Sequence, residues 1–170
     1  NILFLFGKIL LLGTINKFVL LLLYMSYKGI YRPSNPKKYK GDQSNIIYRS
    51  LWERKFMNYC DLNENILEWA SEEFWIPYLD PTTNRVRRYF PDFFIKYKDK
   101  DSNIRRSVIE VKPMRETLEP KATKGKSRKT MINESITYVK NQAKWKAAKE
   151  FCADRKLEFK IMTEKELGIR

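Results

Sequence analysis

The sequence predicts one α/β domain built on a mixed β-sheet that is flanked by helices, in the order α-β-β-β-α-β. Two long segments repeat apolar residues at three- and four-residue spacing, which is typical of amphipathic helices. Between them lie three segments of alternating apolar residues separated by polar turns, which indicate consecutive strands. The chain has 170 residues, of which 43% are hydrophobic, enough for a single domain with a buried core.

The charge balance narrows the class of partner. Lys and Arg number 34 against 20 Asp and Glu, a net charge of +14, which favours a polyanion such as nucleic acid or an acidic membrane surface. The sequence has no histidine, so zinc–histidine sites and histidine general bases are excluded. Cys60 and Cys152 are far apart and form no C-x-x-C motif. We therefore expect reduced core thiols in a cytosolic protein, not a zinc site or a disulfide.

Residues 1–24 differ in composition from the remainder of the chain. They are largely apolar, contain no acidic residue and precede Met25. A membrane anchor is disfavoured because two lysines and an asparagine interrupt the run, leaving far fewer than the roughly 18 continuous apolar residues that a span needs. A signal peptide is disfavoured because no small-residue cleavage site follows. We interpret 1–24 as upstream translated or non-native sequence, with Met25 as the true start.

Residues 25–43 predict a basic N-terminal arm ahead of the main domain, which spans 44–170. Two prolines, two glycines and five basic residues in 25–41 favour an extended, irregular segment. The arm is either a solvated tail or a strap along a phosphate backbone, with tyrosines available for stacking. Its candidate DNA contacts are Lys37, Lys38 and Lys40.

The first helix is predicted to begin near Ser44 as its N-cap and to continue to about Cys60. Glu53 lies beside its apolar stripe. There it is either a surface residue paired with Arg49 one turn back or a carboxylate at the rim of a metal site. Arg49 is also a candidate DNA contact. The apolar stripe consists of Tyr48, Leu51, Trp52, Phe56 and Tyr59.

The three strands are predicted at residues 66–78, 86–97 and 104–112. If the last two pair antiparallel about a turn centred on Asp101, Asp92 lies opposite Glu110, with Cβ atoms about 5 Å apart. Lys112 is two residues from Glu110 and therefore projects from the same face as both carboxylates. The opposite, core-facing side of this pair carries Phe93, Ile95, Tyr97, Ile109 and Val111.

This polar face has the composition of a metal-dependent phosphodiesterase site. Two carboxylates about 5 Å apart repel each other unless they are protonated or bridged by a cation. Mg²⁺ prefers oxygen ligands, and a bound ion can polarise a phosphoryl oxygen and activate water in a chain without histidine. Mn²⁺ is an expected substitute. Lys112 would orient that water or stabilise transition-state charge. The alternative is an exposed Asp–Glu–Lys ladder held by cross-strand ion pairs.

The C-terminal third is predicted to add a basic loop, a long helix and a last strand. The loop, at 113–129, is either mobile and DNA-binding or simply disordered, and its candidate DNA contacts are Arg115, Lys124 and Lys126. The helix, at 132–155, places Lys144 outside its apolar stripe, where it is a further DNA candidate or solvated surface. A strand at 157–163 follows. The stripe of the helix consists of Ile136, Val139, Ala143, Ala147, Phe151 and Cys152.

This layout resembles the restriction-endonuclease-like, PD-(D/E)XK nuclease superfamily, with Glu53 in the first helix, Asp92 on the second strand and Glu110-X-Lys112 on the third. More closely, the chain from Met25 onward resembles the head completion nucleases of T4-like tailed phages, which are related to TnsA-type transposon endonucleases. The segments that carry the closer resemblance are residues 48–56, 88–93, 109–113 and 143–164.

The resemblance implies a magnesium-dependent deoxyribonuclease that acts in virion assembly, where processing of packaged DNA accompanies head completion and head–tail joining. It implies DNA and phage head or neck proteins as partners, without a membrane or a small-molecule cofactor, and a location in the virion and in the host cytoplasm during assembly. TnsA-type enzymes can carry Gln where this chain has Glu110. The implied catalytic set is Glu53, Asp92, Glu110 and Lys112, of which Asp92, Glu110 and Glu53 are the metal ligands.

Two other functions fit the same residues. One is a structural head–tail connector that binds DNA electrostatically without cutting it. The other is the cutting subunit of a transposase or restriction system. Because no recognition helix or base-reading insertion is apparent, low sequence specificity is expected in each case.

Overall fold

The computed structural model describes residues 27–168. The interpretations of residues 1–24 and of Met25 therefore lie outside the described residues. The structure contains one 3-10 helix, Pro36–Lys38, besides its strands and α-helices. In chain order, these are β1 (Gly29–Ile30), β2 (Ile47–Tyr48), α1 (Leu51–Leu62), β3 (Ile66–Ser71), β4 (Ile76–Asp80), β5 (Arg85–Tyr89), β6 (Phe93–Lys98), β7 (Ile104–Val111), α2 (Met114–Thr117), α3 (Arg128–Asp154) and β8 (Glu158–Met162).

The central sheet has four strands in the order β3-β6-β7-β8. The first two neighbouring pairs are antiparallel, whereas β8 runs parallel to β7. Strands β4 and β5 form a separate hairpin. Helix α1 packs against β3 on one side, and α3 packs against β4 and β8. The predicted α/β class, with a mixed sheet flanked by helices, is confirmed.

Two apolar clusters occupy opposite faces of this sheet. The larger one joins α1 to alternate residues of β6 and β7, including Phe56, Phe93 and Ile109. The smaller one joins the β4–β5 hairpin to α3 around Tyr89 and Ala148. Successive strand residues point to opposite faces, so the larger cluster leaves Glu110, between Ile109 and Val111, on the side of the hairpin and α3.

Helix α1 begins six residues later than the sequence suggested. Its N-cap is Ser50, whose hydroxyl oxygen accepts a hydrogen bond from Glu53 N. Ser44 was wrong as the N-cap, because its hydroxyl bonds to Asp42 in a preceding turn. Tyr48 is buried as predicted, but from strand β2, and Tyr59 is 51% exposed. A two-residue strand and a helical turn both place Tyr48 inward, which is why periodicity alone misplaced the helix start.

Each of the first two predicted long strands is divided in two. Residues 66–78 contain β3 and the start of β4, and residues 86–97 contain most of β5 and β6. Asp92 therefore lies between β5 and β6, not within a strand, directly after Pro91. The predicted register is confirmed, since Phe93 pairs with Ile109, as it must if Asp101 is the centre of the turn.

The predicted apolar stripe of the long helix is confirmed in its C-terminal half, where Ala143, Ala147 and Phe151 pack against the smaller cluster and Cys152 is buried. The buried residues of this helix are Asn141, Trp145, Ala148 and Cys152. The predicted stripe is wrong at Ile136 and Val139, which are 41% and 44% exposed. No residue of α3 before Asn141 is buried, so apolar spacing in its N-terminal half does not correspond to burial. The preceding basic segment contains the short helix α2, and α3 begins at Arg128, inside the predicted loop.

The basic arm is folded against the domain over its described part, residues 27–43. Tyr31 and Tyr39 are buried and contact the ring of Trp69 edge-on. The carboxylate of Asp61, fully buried in α1, accepts hydrogen bonds from the Ser34 and Asn35 backbone amides at 2.7 and 3.0 Å. Neither a solvated tail nor an extended strap describes this segment, because it contributes two aromatic side chains to the core.

Two further expectations concern the thiols and membrane association. Cys60 and Cys152 are both free and buried, as predicted. Across residues 27–168, no helix has the length and apolar character needed to cross a membrane.

Candidate active site

The carboxylates of Asp92 and Glu110 are brought to the same end of the β6–β7 pair. The register of β6 with β7 continues to place position 92 across from position 110. Asp92 Oδ2 accepts a hydrogen bond from the Val111 backbone amide at 2.7 Å. Glu110 is buried, with 3% of its surface exposed. The structure therefore gathers the two acidic residues that the sequence paired.

Glu110 is held by two partners, one on each carboxylate oxygen. The Tyr89 hydroxyl donates to Oε2 at 2.6 Å, and Lys112 Nζ lies 3.2 Å from Oε1. Burial and the adjacent negative charge of Glu110 raise the pKa of Tyr89, so its phenol stays protonated and remains a donor. Sequence reasoning missed Tyr89, because nothing in an Arg-Arg-Tyr-Phe run distinguishes a buried hydrogen-bond donor from a core aromatic.

The environment of Asp92 opposes ionisation. Burial raises the pKa of Asp92 well above its usual value, and the charge of Glu110 raises it further, while Lys112 and the Val111 amide act in the opposite direction. Its Oδ1 atom accepts no hydrogen bond from residues 27–168, whereas Oδ2 is occupied by Val111. Lys112 and the Val111 amide therefore offset only part of the effect that burial and the charge of Glu110 have on Asp92.

Lys112 carries the positive charge that the two carboxylates face. Burial by itself would lower its pKa, but the charges of Glu110 and Asp92 outweigh burial, so the pKa of Lys112 is raised. The side chain is only 27% exposed. It is therefore an ammonium group fixed beside the carboxylate pair and on the same face, as the sequence predicted.

Glu53 lies near this cluster but its carboxylate is turned toward its own helix. The oxygens accept hydrogen bonds from the Arg49 backbone amide at 2.8 Å and the Ser50 hydroxyl at 2.9 Å, so that Ser50 and Glu53 form a capping box. Burial raises the pKa of Glu53, while those two hydrogen bonds and Lys112 lower it. The predicted partner, the Arg49 side chain, pairs instead with Glu72 at 2.7 Å.

Lys144 is drawn into the same neighbourhood from helix α3. Its Nζ lies 5.7 and 5.9 Å from the ring centroids of Tyr89 and Tyr78. Burial lowers the pKa of Lys144, as does Lys112, whereas Glu110 and Asp92 raise it. The residue is half-buried behind Tyr89, close to the carboxylate pair. Its assignment as a DNA contact stays a prediction.

Two of the other predicted DNA contacts, Lys38 and Lys126, also bond to groups of the protein itself. Lys38 Nζ donates to the carbonyl oxygens of Asp61 and Asn63 at the end of α1, at 3.0 and 2.8 Å. Lys126 Nζ pairs with Glu134 at 2.7 Å. These two lysines, like Arg49, have structural roles in addition to any contact with DNA. The exposed members of the set are Lys37, Lys40, Arg115 and Lys124.

Oxygen ligands at this site come mainly from Asp92 and Glu110. Throughout the described part of the chain, no group of three or more Cys, Asp and Glu side chains is placed so that it could hold a metal ion. Two carboxylates do fit Mg²⁺, because this ion keeps several waters and needs only one or two protein carboxylates. The role of Glu53 as a third ligand stays a prediction.

The fold and this site together define a class of protein. A mixed sheet flanked by helices, with an acidic pair and a lysine at the end of two central strands, has the layout of a restriction-endonuclease-like nuclease. Residues 63–164 match the family model of the TnsA-like endonuclease N-terminal domain, a range that includes Asp92, Glu110 and Lys112 but not Glu53.

Similarity to one relative narrows this class of protein to a family. The chain is 38% identical over 143 residues to the head completion nuclease of Enterobacteria phage T4, which covers 82% of this chain and 93% of the relative. The chain therefore belongs to the family of head completion nucleases, with a TnsA-like endonuclease domain.

Proposed function

We propose that the protein is a metal-dependent deoxyribonuclease that hydrolyses phosphodiester bonds and acts in phage head completion. The observation that carries this proposal is the Asp92–Glu110 pair with Lys112 on the same face. The family relationship supports the nuclease class. The side chains proposed to perform the reaction are chosen from the geometry of the site.

Asp92 and Glu110 would hold the ion, which we expect to be Mg²⁺ with Mn²⁺ as a substitute. The fit rests on the open Oδ1 atom of Asp92 and on the environment of this carboxyl group, whose pKa is raised by burial first and by the negative charge of Glu110 second. A bound cation relieves that repulsion and supplies Lewis acidity toward a phosphoryl oxygen and a bound water.

The chain's own residues position and balance this site. The Tyr89 hydroxyl fixes one oxygen of Glu110, and the Val111 amide fixes one oxygen of Asp92. The Lys112 ammonium offers a positive charge for the phosphate as negative charge develops on it, and it is also the candidate for orienting the attacking water. Glu53, which lies close enough to influence Asp92, is proposed to complete the site when DNA is bound.

The substrate is proposed to be the packaged DNA at the stage of head completion and head–tail joining. The net charge of +14 supports binding to the phosphate backbone without sequence readout. Contact with head or neck proteins, and location in the virion and in the host cytoplasm during assembly, are proposed from the family relationship.

A supercoiled-plasmid nicking assay with Mg²⁺ tests this function. Wild type should nick the plasmid, EDTA should stop the reaction, and Asp92→Ala should be inactive. Asp101→Ala is the matched control, because Asp101 is an exposed aspartate in the turn of the same strand pair. If Asp92→Ala cuts as well as wild type, the catalytic proposal is wrong. Salt-sensitive DNA binding by wild type without any nicking would instead support the structural connector.

A further inference from the structure

The β4–β5 hairpin has an outward face that the proposed reaction does not use. Ile76 pairs with Tyr89 and Pro77 with Arg88, so alternate residues of the two strands share a face. Ile76 and Tyr89 point inward and are buried. Arg88 therefore points outward, and the same register places Phe90 opposite Trp75, one position beyond the paired residues.

Trp75 is unusual among the tryptophans of this chain. The sequence has four, and Trp52, Trp69 and Trp145 are buried, with at most 3% of their surface exposed, whereas Trp75 is 46% exposed. The Arg88 guanidinium lies 5.0 Å from the centroid of the Trp75 ring. These two residues line a groove of about 460 Å³, together with Val86 and Arg87. Phe90, at the end of this face, is 44% exposed.

The charges around this groove are positive. Strand β5 contains three arginines in five residues, and Arg87 is neutralised by the buried carboxylate of Asp80 at 3.0 Å. Arg88, the other arginine that lines the groove, forms no ion pair with an acidic side chain within residues 27–168. An aromatic surface bordered by an unpaired guanidinium group is suited to bases and phosphates, since every base has a π-face and arginine favours phosphate.

Strand β5 and the residues that follow it connect the groove to the carboxylate pair. On one side of β5, Tyr89 hydrogen-bonds Glu110, and on the other side Arg88 contacts Trp75. Phe90 precedes Asp92 by two residues, so their Cα atoms are at most about 7 Å apart. A DNA strand that lies on this face would therefore reach the carboxylate pair around the Phe90 end of the hairpin, which is the part of the face nearest Asp92.

We propose that Trp75, Arg88 and Phe90 form a stacking platform for unpaired DNA bases, located beside the nuclease site. This rests on the proposed function and deepens it, because it assigns the substrate an unpaired segment, such as a single-stranded end, next to the scissile phosphate. The exposed Leu79 and Val86 on the same hairpin make a protein partner the competing occupant. The unpaired guanidinium of Arg88 favours DNA.

Tryptophan fluorescence reports on this platform directly, because Trp75 is the exposed indole. We expect a short oligothymidylate, titrated in EDTA so that no cleavage occurs, to quench the emission of wild-type protein saturably. Blunt duplex of equal length should bind with much weaker quenching. Trp75→Phe should bind the single strand but lose the quenching, because the three remaining indoles are buried.

Affinity measurements by fluorescence anisotropy separate stacking from charge. Trp75→Ala and Arg88→Ala should each weaken single-strand binding about five- to hundredfold, the range expected from losing one base stack. Arg88→Lys should recover only part of this loss, since lysine keeps the charge without the planar group. Tyr59→Ala is the matched control, because Tyr59 is 51% exposed on α1, away from the hairpin.

The outcomes are distinguishable from those of the nicking assay. Absence of quenching, or an unchanged affinity in Trp75→Ala, would overturn the platform even if the enzyme cuts DNA. Quenching by a protein that never nicks plasmid would leave the platform standing and refute the nuclease proposal. If Trp75→Ala instead alters only self-association, measured by sedimentation velocity, the hairpin face is a protein interface and the platform is refuted.

Discussion

At the scale of single residues, Asp92 is required by the proposed chemistry yet opposes folding of the metal-free chain. Its carboxyl group is placed beside Glu110, and its pKa is raised by burial first and by that neighbouring charge second. A carboxylate with a raised folded-state pKa binds its proton more tightly in the native state than in the unfolded chain. Ionisation therefore favours unfolding.

Asp92→Asn should stabilise the metal-free protein while abolishing nicking. Because the folded pKa lies above the usual 3.8, the destabilisation is fully present above the folded pKa and disappears as pH falls toward 3.8. Asn keeps an acceptor for the Val111 amide. We expect a gain of about 0.5–2 kcal/mol in the free energy of unfolding at neutral pH, measured by urea denaturation in EDTA.

Two controls accompany this prediction. The gain should vanish at acidic pH, where Asp92 is protonated in both states. Added Mg²⁺ should raise the melting temperature of wild type but not of Asp92→Asn, because a ligand of the folded state stabilises only the protein that binds it. A variant less stable than wild type at neutral pH in EDTA would contradict the assignment.

Tyr89→Phe should weaken metal binding without removing any candidate ligand. The substitution deletes the 2.6 Å hydrogen bond to Glu110 and leaves a buried carboxylate oxygen without a donor, at a cost of about 1–3 kcal/mol in stability. Loss of such a positioning contact typically weakens metal affinity about tenfold or more. The measurement is the Mg²⁺ dependence of the nicking rate, in which saturating Mg²⁺ should restore much of the activity.

Tyr97→Phe provides the comparison for this loss. Its hydroxyl is also hydrogen-bonded, at 3.4 Å to Glu158, but at the far end of β6. Its Mg²⁺ dependence should match that of wild type. Equal Mg²⁺ dependence in both variants and wild type would show that Tyr89 does not position Glu110.

At the scale of secondary-structure elements, Ser50 links the start of α1 to the orientation of Glu53. Ser50→Ala should lower the free energy of unfolding by about 1 kcal/mol, the usual cost of losing an N-cap. Ser44→Ala should change it by less than about 0.5 kcal/mol, since that hydroxyl bonds only within a surface turn. Urea unfolding of the two variants, in parallel, checks the pair. The reverse order would place the helix start at Ser44.

Parts of the fold follow directly from sequence and others do not. The β6–β7 register could be predicted because two alternating apolar strands and a polar turn permit one pairing that buries Phe93 and Ile109 together. The start of α1 was missed although Ser50 and Glu53 form the S-x-x-E pattern of a capping box. The stripe of α3 could be predicted only from Ala143 onward, because apolar spacing does not indicate how much of a long helix is covered by other elements.

The β4–β5 hairpin should lose stability in acid. Hydrogen bonds from Thr82, above all, lower the pKa of Asp80 to about 2. Because the folded pKa is depressed, the stabilisation is complete above the usual 3.8 and is lost as pH falls toward about 2. The stability difference between wild type and Asp80→Asn should therefore shrink over this window, followed by urea unfolding.

At the scale of the whole molecule, the surplus of positive charge should make DNA binding strongly dependent on salt. Each phosphate contact contributes about 0.9 to the slope of log K against log salt concentration. Replacing the exposed Lys37, Lys40 or Lys124 with alanine should lower that slope by up to about one. Lys38→Ala should instead lower stability and leave the slope unchanged, because its ammonium caps α1. Anisotropy titrations at several salt concentrations check both.

The site as a whole could be predicted only where its members lie on β7 and its extension or directly before β6. Asp92, Glu110 and Lys112 follow from one register. Tyr89 and Lys144 reach the same place from the hairpin and from α3, and their positions depend on how those elements pack across the sheet. No local pattern specifies that packing, so three-dimensional structure was needed to find them near Glu110.

Because β7 pairs in parallel with β8, the central sheet is completed only after β8 has been synthesised. Glu110 pairs with Ile161, and the Lys112 amide donates to the Met162 carbonyl oxygen at 3.0 Å. Strand β7 thus has one open edge until residues 158–162 have emerged from the ribosome, a delay of a few seconds at roughly 5–20 residues per second. A nascent chain carries both acidic residues before it has the finished sheet that holds them, so we expect the acidic pair to be fixed in position only after the last strand has paired.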